Sequence, residues 1–235
     1  LTTGSKLYSR VLRFFGIGES QLVTILSDLI DQQTDPTIAP YAKTGEVLLR
    51  ITASSEDKNE CEQLISEQLK EIEKRVGEYI YLVGDEDISG TQTEMNNVVA
   101  NLLIENNFTI SVAESLTGGK ISSMLIEKSG ISESFLEGVV CYSNKSKINT
   151  LGANEETLER FGAVSEEVAK EMALGVANRL GTDFAVATTG IAGPNSDESG
   201  KPVGLAYIGI YSQGEVSAKE VVFTGDRELI RYRTS

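Results

Sequence analysis

The strongest sequence signal for the fold is the stretch FTISVAESLTGG at Phe108–Gly119. Its first half is apolar and its end is rich in glycine, and the run KISSMLI at Lys120–Ile126 then carries apolar positions at helical spacing. This order predicts a strand, a tight turn and a helix. Ligands of open α/β sheets bind at such junctions, where unpaired amides of the helix start attract negative charge. The stretch therefore predicts an α/β fold with a site at this turn.

The turn holds one candidate nucleophile, Ser115, in a chain without histidine. A Ser-His-Asp triad and a histidine-ligated metal site are therefore excluded, and the base would be a lysine, a carboxylate, a tyrosine or a solvent relay. In this interpretation the amides of Thr117, Gly118 and Gly119 cradle an oxyanion or a phosphate. The alternative is a structural turn in which serine and threonine cap the helix, and spacing alone favours it.

The composition indicates a globular, cytoplasmic protein. The chain has 235 residues, of which 40% are hydrophobic. No apolar run approaches the roughly 20 residues that span a bilayer, and no secretion signal is visible. Its two cysteines, Cys61 and Cys141, lie far apart without a CxxC pattern, which favours reduced thiols. The net charge of -14 argues against binding to nucleic acid or to an anionic membrane.

The pattern of apolar residues predicts two domains, 1–88 and 89–235, with the acidic, glycine-bounded segment Gly84–Gly90 as their linker. The first is expected to be a small α/β domain. Its predicted strands cover 6–17, 46–52 and 79–83, its predicted helices cover 22–30 and 56–76, and a loop with two prolines covers 31–44. Because the chain begins with Leu1 rather than methionine, we expect a fragment or a processed product.

The second domain alternates strands and helices, which predicts layers of helix, sheet and helix. Its predicted strands cover 108–114, 135–143, 184–190, 203–212 and 215–224, and its predicted helices cover 91–106, 117–129, 154–161 and 165–180. A capping box at Thr91–Glu94 leads the first helix. Gln213-Gly214 predicts a hairpin, so the sheet should be mixed. The chain stops inside a helix that starts after Asp226, so we expect C-terminal residues to be missing.

A second candidate segment, CYSNKSK at Cys141–Lys147, places two lysines after a predicted strand. Desolvation can lower the pKa of a lysine from about 10.4 to roughly 7–8, which makes the amine a usable base. Lys145 and Lys147 would face the same side of an extended backbone, so spacing leaves both open. The structural alternative is a pair of solvated lysines at a helix start.

A third candidate segment, TTGIAGP at Thr188–Pro194, follows another predicted strand. Its glycines and proline predict a tight loop whose backbone can approach a ligand closely. The pattern is neither a dinucleotide-binding GxGxxG nor a Walker A loop. By itself it indicates a structural turn.

In this order, the segments resemble the CinA (competence-damage-inducible) proteins. The motifs that carry the resemblance are AESLTGG at 113–119, GVVCYSN at 138–144 with Lys147, GAVS at 162–165, TGIAGP at 189–194, KPVG at 201–204 and GDR at 225–227. They match the C-terminal domain of that family, a nicotinamide mononucleotide deamidase, over about 91–235. Residues 1–88, with FGIGES at 15–20, resemble the KH-like middle domain. The family's N-terminal pyrophosphatase-like domain has no counterpart here.

The resemblance implies a serine amidohydrolase that converts nicotinamide mononucleotide to nicotinic acid mononucleotide and ammonia, without metal or cofactor. It implies Ser115 as nucleophile and selects Lys147 over Lys145 as base. The expected substrate-binding residues beyond the glycine turn are Tyr142 and Asn144 around the base, Thr189, Gly190 and Gly193 near the ribose or carboxamide, and Arg227 and Arg231 as a phosphate clamp. The alternative for the two arginines is a solvated helix face.

Two functions stay open at this point. The first is the amidohydrolase, and the second is a non-catalytic module that binds a pyridine nucleotide or a partner in DNA uptake and recombination. RNA binding is disfavoured, because 16–19 read GIGE rather than the GXXG of KH domains and the net charge is negative. We expect the first domain to be a connector or dimer element, and a homodimer is the default expectation.

Overall fold

The computed structural model describes residues 5–43, 45–85, 94–196 and 199–235. Its contacts divide the chain into two compact units, Leu1–Val98 and Val99–Ser235. This division falls later in the chain than the predicted boundary after residue 88, inside a helix. The predicted capping box and most of the predicted linker lie outside the described residues.

The first unit is a four-stranded antiparallel sheet with the order β2-β3-β1-β4. Its elements are β1 (Lys6–Phe14), α1 (Glu19–Ile25), α2 (Ser27–Asp31), β2 (Thr37–Lys43), β3 (Glu46–Ser55), α3 (Lys58–Val76), a 3₁₀ turn (Gly77–Tyr79) and β4 (Ile80–Gly84). The buried stripe of α3, which includes Ile65 and Ile72, packs with Leu12 and Leu49 of the sheet. This amphipathic helix closes the core of the unit.

Two predictions for this unit are wrong. Residues 31–44 were expected to form only a loop, yet Thr37–Lys43 is a strand. The strand tolerates Pro40 because it lies at the edge of the sheet, where a missing amide costs least. The single helix expected at 22–30 is two helices, which meet at Leu26.

The second unit is built on a five-stranded mixed sheet with the order β6-β5-β7-β8-β9. Its elements are α4 (Met95–Glu105), β5 (Ile110–Glu114), α5 (Lys120–Ile126), a 3₁₀ turn (Ile131–Glu133), β6 (Phe135–Val140), α6 (Asn144–Leu151), α7 (Glu155–Phe161), α8 (Glu166–Leu180), β7 (Phe184–Gly190), β8 (Leu205–Ser212), β9 (Glu215–Val222) and α9 (Arg227–Thr234). The first three strands in the order are parallel. β8 and β9 are antiparallel and are joined by the predicted Gln213-Gly214 turn.

Helices cover both faces of this sheet, which confirms the predicted layers. On one face, α6, α7 and α8 pack against Ala113 and Ala187. On the other, α4 and α5 pack against Ile110 and Val112. Neighbouring residues of β5 point to opposite faces, so this central strand contributes to both cores.

The carboxyl ends of the three parallel strands meet at one edge, and this edge positions the candidate site. β6 ends at Val140, earlier than the predicted 143, because the chain turns there into α6, a helix that the sequence pattern did not predict. Ser143 caps this helix, with its Oγ accepting a hydrogen bond from the amide of Ser146 at 3.1 Å. The predicted start of the last helix is confirmed, since Asp226 accepts from the amide of Leu229 at 2.8 Å.

Both cysteines, Cys61 and Cys141, are buried and free. Over the described ranges, no helix combines the length and the apolar character that crossing a membrane requires. The three candidate segments of the sequence all lie in the second unit.

Candidate active site

A cavity of about 210 Å³ lies at the carboxyl ends of the parallel strands. Its walls are formed by Ser115, Leu116, Tyr142, Asn144, Lys147, Ala163, Val164, Thr189, Gly190, Ala192 and Arg227. All three candidate segments therefore contribute to one cavity, although they lie far apart in the sequence. This convergence is typical of a site at the edge of an open α/β sheet.

Ser115 and Lys147 meet in this cavity. The amide of Ser115 donates to the carbonyl of Thr188 at 3.0 Å, which extends the pairing of β5 with β7 by one residue and fixes the serine backbone. Lys147 lies in the second turn of α6 and is only 1% exposed. Its Nζ lies 3.1 Å from Ser115 Oγ, within the range expected of a nucleophile and its base.

The surroundings of the Lys147 amine favour its neutral form. Burial lowers the pKa of Lys147 below its ordinary value and outweighs the opposing effect of the Cys141 thiol. Nζ donates to the carbonyls of Cys141 at 3.0 Å and Tyr142 at 3.3 Å. A neutral amine carries two protons, which these carbonyls accept, and its lone pair is then available to the hydroxyl of Ser115. Among the described residues, no carboxylate forms an ion pair with Lys147.

The rival lysine, Lys145, does not enter the cavity. The sequence argument assumed an extended backbone, in which Lys145 and Lys147 share a side, but both lie in the helix α6. Two residues along a helix turn by about 200°, so their side chains point to different sides. Lys145 is exposed, whereas Lys147 is buried. The helix thus separates the two candidates that spacing could not.

The glycine turn after Ser115 differs from its predicted role as an anion cradle. The amide of Gly119 donates to the side chain of Glu114 at 2.8 Å and is therefore already used. Thr117 is buried and its hydroxyl bonds to that of Thr188 at 2.8 Å, and neither Thr117 nor Gly118 lines the cavity. The turn residue at the cavity wall is Leu116, whose amide has no hydrogen-bond partner within the described residues. Sequence reasoning passed over Leu116 because its side chain carries no chemistry.

The two arginines of α9 have separate positions, contrary to the predicted clamp. Arg231 donates from Nε to the carbonyl of Leu116 and from Nη2 to that of Thr117, both at 2.9 Å, so it braces the turn. Arg227 lies at the cavity, where Nη1 donates to the carbonyl of Gly193 at 2.7 Å. Gly193 contributes this carbonyl and does not line the cavity itself. Of these two arginines, Arg227 lines the cavity and Arg231 does not.

Part of the cavity wall, at Ala163 and Val164, comes from a segment that the sequence did not predict to be in the site. Thr189 Oγ1 donates to the carbonyl of Ala163 at 2.7 Å, and Lys201 Nζ donates to that of Val164 at 2.5 Å. The only sequence signal for this segment was the motif at 162–165. Gly190 has no room for a side chain, because a Cβ would lie 2.7 Å from both Ala206 Cβ and Leu205 O.

Within the described ranges, no group of three histidine, cysteine, aspartate or glutamate side chains is placed to hold a metal ion. The chemically active side chains that line the cavity are a serine, a lysine, an arginine and hydrogen-bonding groups.

The fold and the site define an α/β protein with a buried serine–lysine pair. The CinA C-terminal domain matches residues 92–235, and the damage-inducible protein CinA KH domain matches residues 9–81. The chain therefore belongs to the CinA family.

Curated relatives are similar to this chain over nearly its whole length. A putative competence-damage inducible protein of Clostridioides difficile is 50% identical over 99% of this chain and 56% of its own length. A CinA-like protein of Kosmotoga olearia is 48% identical over 97% of this chain and 54% of its own. The chain thus spans about half the length of these relatives.

Solved structures match about 60% of the chain. The competence damage-inducible protein A of Klebsiella pneumoniae is 33% identical with a TM-score of 0.58, and the match covers 60% of this chain and 88% of that one. The competence/damage inducible protein CihA of Agrobacterium tumefaciens is 38% identical with a TM-score of 0.58, covering 60% and 87%.

Burial of the Lys147 amine predicts a pH-dependent stability. Between its lowered pKa and the pKa of about 10.4 in the unfolded chain, the unfolded state binds more protons, so stability rises with pH. We expect wild type to gain free energy of unfolding relative to Lys147→Met as the pH rises from neutrality towards 10. Urea unfolding across this range measures the difference. Lys145→Met removes an exposed lysine of the same helix and is the control: its free energy of unfolding should change with pH as that of wild type does. The prediction is contradicted if the free energy of unfolding of Lys147→Met also changes with pH in parallel with wild type.

Proposed function

We propose that this protein hydrolyses the carboxamide of nicotinamide mononucleotide to give nicotinic acid mononucleotide and ammonia. The observation that carries the proposal is the buried Lys147 amine at 3.1 Å from Ser115 Oγ, in the cavity at the sheet edge. A serine with a neutral lysine as base is a known solution for amide hydrolysis where histidine is absent. Membership of the CinA family supports the choice of substrate through the resemblance stated above.

The proposed reaction has two halves. Ser115 Oγ attacks the amide carbonyl while Lys147 Nζ takes its proton, and the oxyanion is bound by the unpartnered amide of Leu116. Lys147 then returns the proton to the leaving nitrogen, so ammonia departs and an acyl-serine remains. Water, deprotonated by the same amine, attacks the acyl-serine, and Lys147 returns this proton to Ser115 Oγ as the bond between the acyl carbon and that oxygen breaks. The product leaves as the carboxylic acid and gives its proton to the released ammonia or to solvent, which forms the carboxylate. One water is consumed, and Lys147 ends each cycle neutral.

The cavity also bears on how the substrate would lie. Its volume of about 210 Å³ is below the roughly 300–1,000 Å³ that encloses a drug-sized ligand. We infer that the nicotinamide ring enters it, while the phosphate stays at the rim beside Arg227. The exposed Tyr142 ring at the same rim can face the cationic pyridinium. That cation also disfavours protonation of Lys147, which keeps the base active.

A second candidate function uses the same cavity without turnover. The relatives carry names that refer to competence and damage induction and that print no enzymatic activity, so a ligand-binding or partner-binding module is the alternative. In that case the cavity would hold a pyridine nucleotide and release no ammonia. The two candidates therefore differ in one measurable product.

Ammonia release tests the proposal directly. Wild type incubated with the mononucleotide should release one ammonia per carboxylate formed, and Ser115→Ala and Lys147→Met should each lower the rate by about a thousandfold or more. Lys145→Met is the matched control and should retain the wild-type rate. A wild-type rate no greater than that of the two variants would leave only the binding function, which calorimetry with the mononucleotide would then measure.

The pH dependence of the rate tests the mechanism separately. The rate should fall on the acid side as Lys147 becomes protonated, with a midpoint below the roughly 10.4 of free lysine, because burial lowers the pKa of this amine. The measurement is kcat/KM over the pH range in which the protein stays folded. A midpoint near 10 would exclude a lysine base with a lowered pKa.

Arg227 should supply discrimination for the phosphate. Arg227→Met removes the charged hydrogen bonds to that group, so KM for the mononucleotide should rise about ten- to a hundredfold. The riboside, which lacks the phosphate, should be processed alike by wild type and variant. Arg233→Met is the control, because Arg233 donates to the carbonyl of Thr224 and does not line the cavity. If Arg227→Met impairs the reaction of the mononucleotide and of the riboside equally, Arg227 has a structural role and does not recognise the phosphate.

A further inference from the structure

A buried carboxylate adjoins the nucleophile, and the proposed chemistry does not use it. Glu114 is the last residue of β5, has 0% exposure and directly precedes Ser115. Within the described residues it forms no ion pair. A buried, unpaired carboxylate is costly unless its oxygens are fully hydrogen-bonded, so its partners explain why it is there.

Four donors at the start of α5 surround this carboxylate. Oε2 accepts from the amides of Gly119 at 2.8 Å and Ile121 at 3.2 Å. Oε1 accepts from the amide of Ser122 at 2.9 Å and from its hydroxyl at 2.7 Å. These four bonds match the roughly four lone-pair sites of an ionised carboxylate. Glu114 thus takes the position that a bound anion would take at a helix start.

The same residue is tied to the base through its backbone. The carbonyl of Glu114 accepts from the amide of Cys141 at 2.8 Å, and the carbonyl of Cys141 accepts from Lys147 Nζ at 3.0 Å. The side chain of Glu114 therefore holds the turn that carries Ser115, while its backbone holds the residue that orients Lys147. No other described residue links both members of the pair in this way.

We propose that Glu114 is the positioning residue of the Ser115–Lys147 pair. This inference rests on the proposed function only in taking the pair as reactive. The turn contains Gly118 at φ 61° and Gly119 at φ 96°, so its backbone has other conformations to adopt once its amides are released. A displacement of about 1 Å at a nucleophile can cost a hundredfold in rate.

Glu114→Gln is the discriminating substitution. It keeps the shape of the side chain but replaces one acceptor oxygen with a donating NH₂ group, which would face donors. We expect kcat for the mononucleotide to fall about a hundredfold while KM changes less than about threefold, because Arg227 and the cavity walls are untouched. A loss of thermal stability with an unchanged kcat, or a change confined to KM, would overturn the proposal.

Glu171→Gln is the matched control. Glu171 also holds a turn with both carboxylate oxygens, accepting from the amide of Asn154 at 2.8 Å and from Thr157 Oγ1 at 2.7 Å. None of these three residues lines the cavity. This variant should keep the wild-type kcat even if its thermal stability falls. If Glu114→Gln does not fold, Ser122→Ala replaces it as the test variant. It removes one of the four hydrogen bonds to the Glu114 carboxylate and should lower kcat several-fold.

Labelling of Ser115 by phenylmethylsulfonyl fluoride separates this inference from the choice of substrate. Ser115 Oγ attacks sulfur, fluoride leaves, and Lys147 takes the proton, so the reaction reports the pair without any nucleotide. Intact-mass and peptide analysis should show wild type labelled at Ser115, Lys147→Met unlabelled, and Glu114→Gln labelled about a hundredfold more slowly. Labelling that is fast in wild type and slow in Glu114→Gln, without ammonia release by wild type, would overturn the proposed substrate and support the positioning role. Equal labelling of Glu114→Gln and wild type, or no labelling of wild type, would overturn the positioning role.

Discussion

The second unit is organised around a single costly feature, the burial of the Lys147 amine beside Ser115. An ammonium group without a carboxylate partner is strongly disfavoured in a protein interior, so the amine gives up its proton more readily than in water. The interior compensates with the two carbonyls of Cys141 and Tyr142. Those carbonyls are available because β6 ends at Val140 and the chain turns before α6 begins. The short strand, the turn and the helix therefore act together to place these carbonyls at the Lys147 amine.

The sequence predicted the scaffold better than the chemistry. The strand–turn–helix at Phe108–Ile126 and the hairpin at Gln213-Gly214 follow from local patterns, because apolar periodicity and positive-φ turns are encoded by neighbouring residues. The helix α6 has no clear apolar face in its sequence NKSKINTL, so the pattern missed it. That omission left Lys145 and Lys147 equivalent, and only the resemblance chose between them. The partner of Arg231 was also beyond prediction, because it depends on how α9 packs over a turn distant in sequence.

The anion-binding capacity of a helix start explains the other departure from prediction. Unpaired amides attract negative charge, and the sequence argument assigned those of the glycine turn to a ligand. The residue before Ser115 is itself an acid, and Glu114 fills this position from within. When a glutamate ends a buried strand just before a helix start, its own carboxylate can occupy the anion position there. The pattern then predicts this side chain at the helix start as readily as an anionic ligand. Of the turn residues, Leu116 is the one that lines the cavity, and its amide has no hydrogen-bond partner among the described residues.

The charge of the site differs in sign from that of the chain. The chain carries a formal net charge of -14, yet among the described residues the ionisable side chains at the cavity wall include Lys147 and Arg227 and no carboxylate. When the amine of Lys147 is neutral, Arg227 supplies the positive charge of these two side chains. This distribution suits the proposed mononucleotide, because the guanidinium would face its phosphate and the uncharged amine would tolerate its cationic ring. A protonated lysine would repel that ring, so the burial that lowers the pKa of Lys147 also favours the proposed pyridinium substrate.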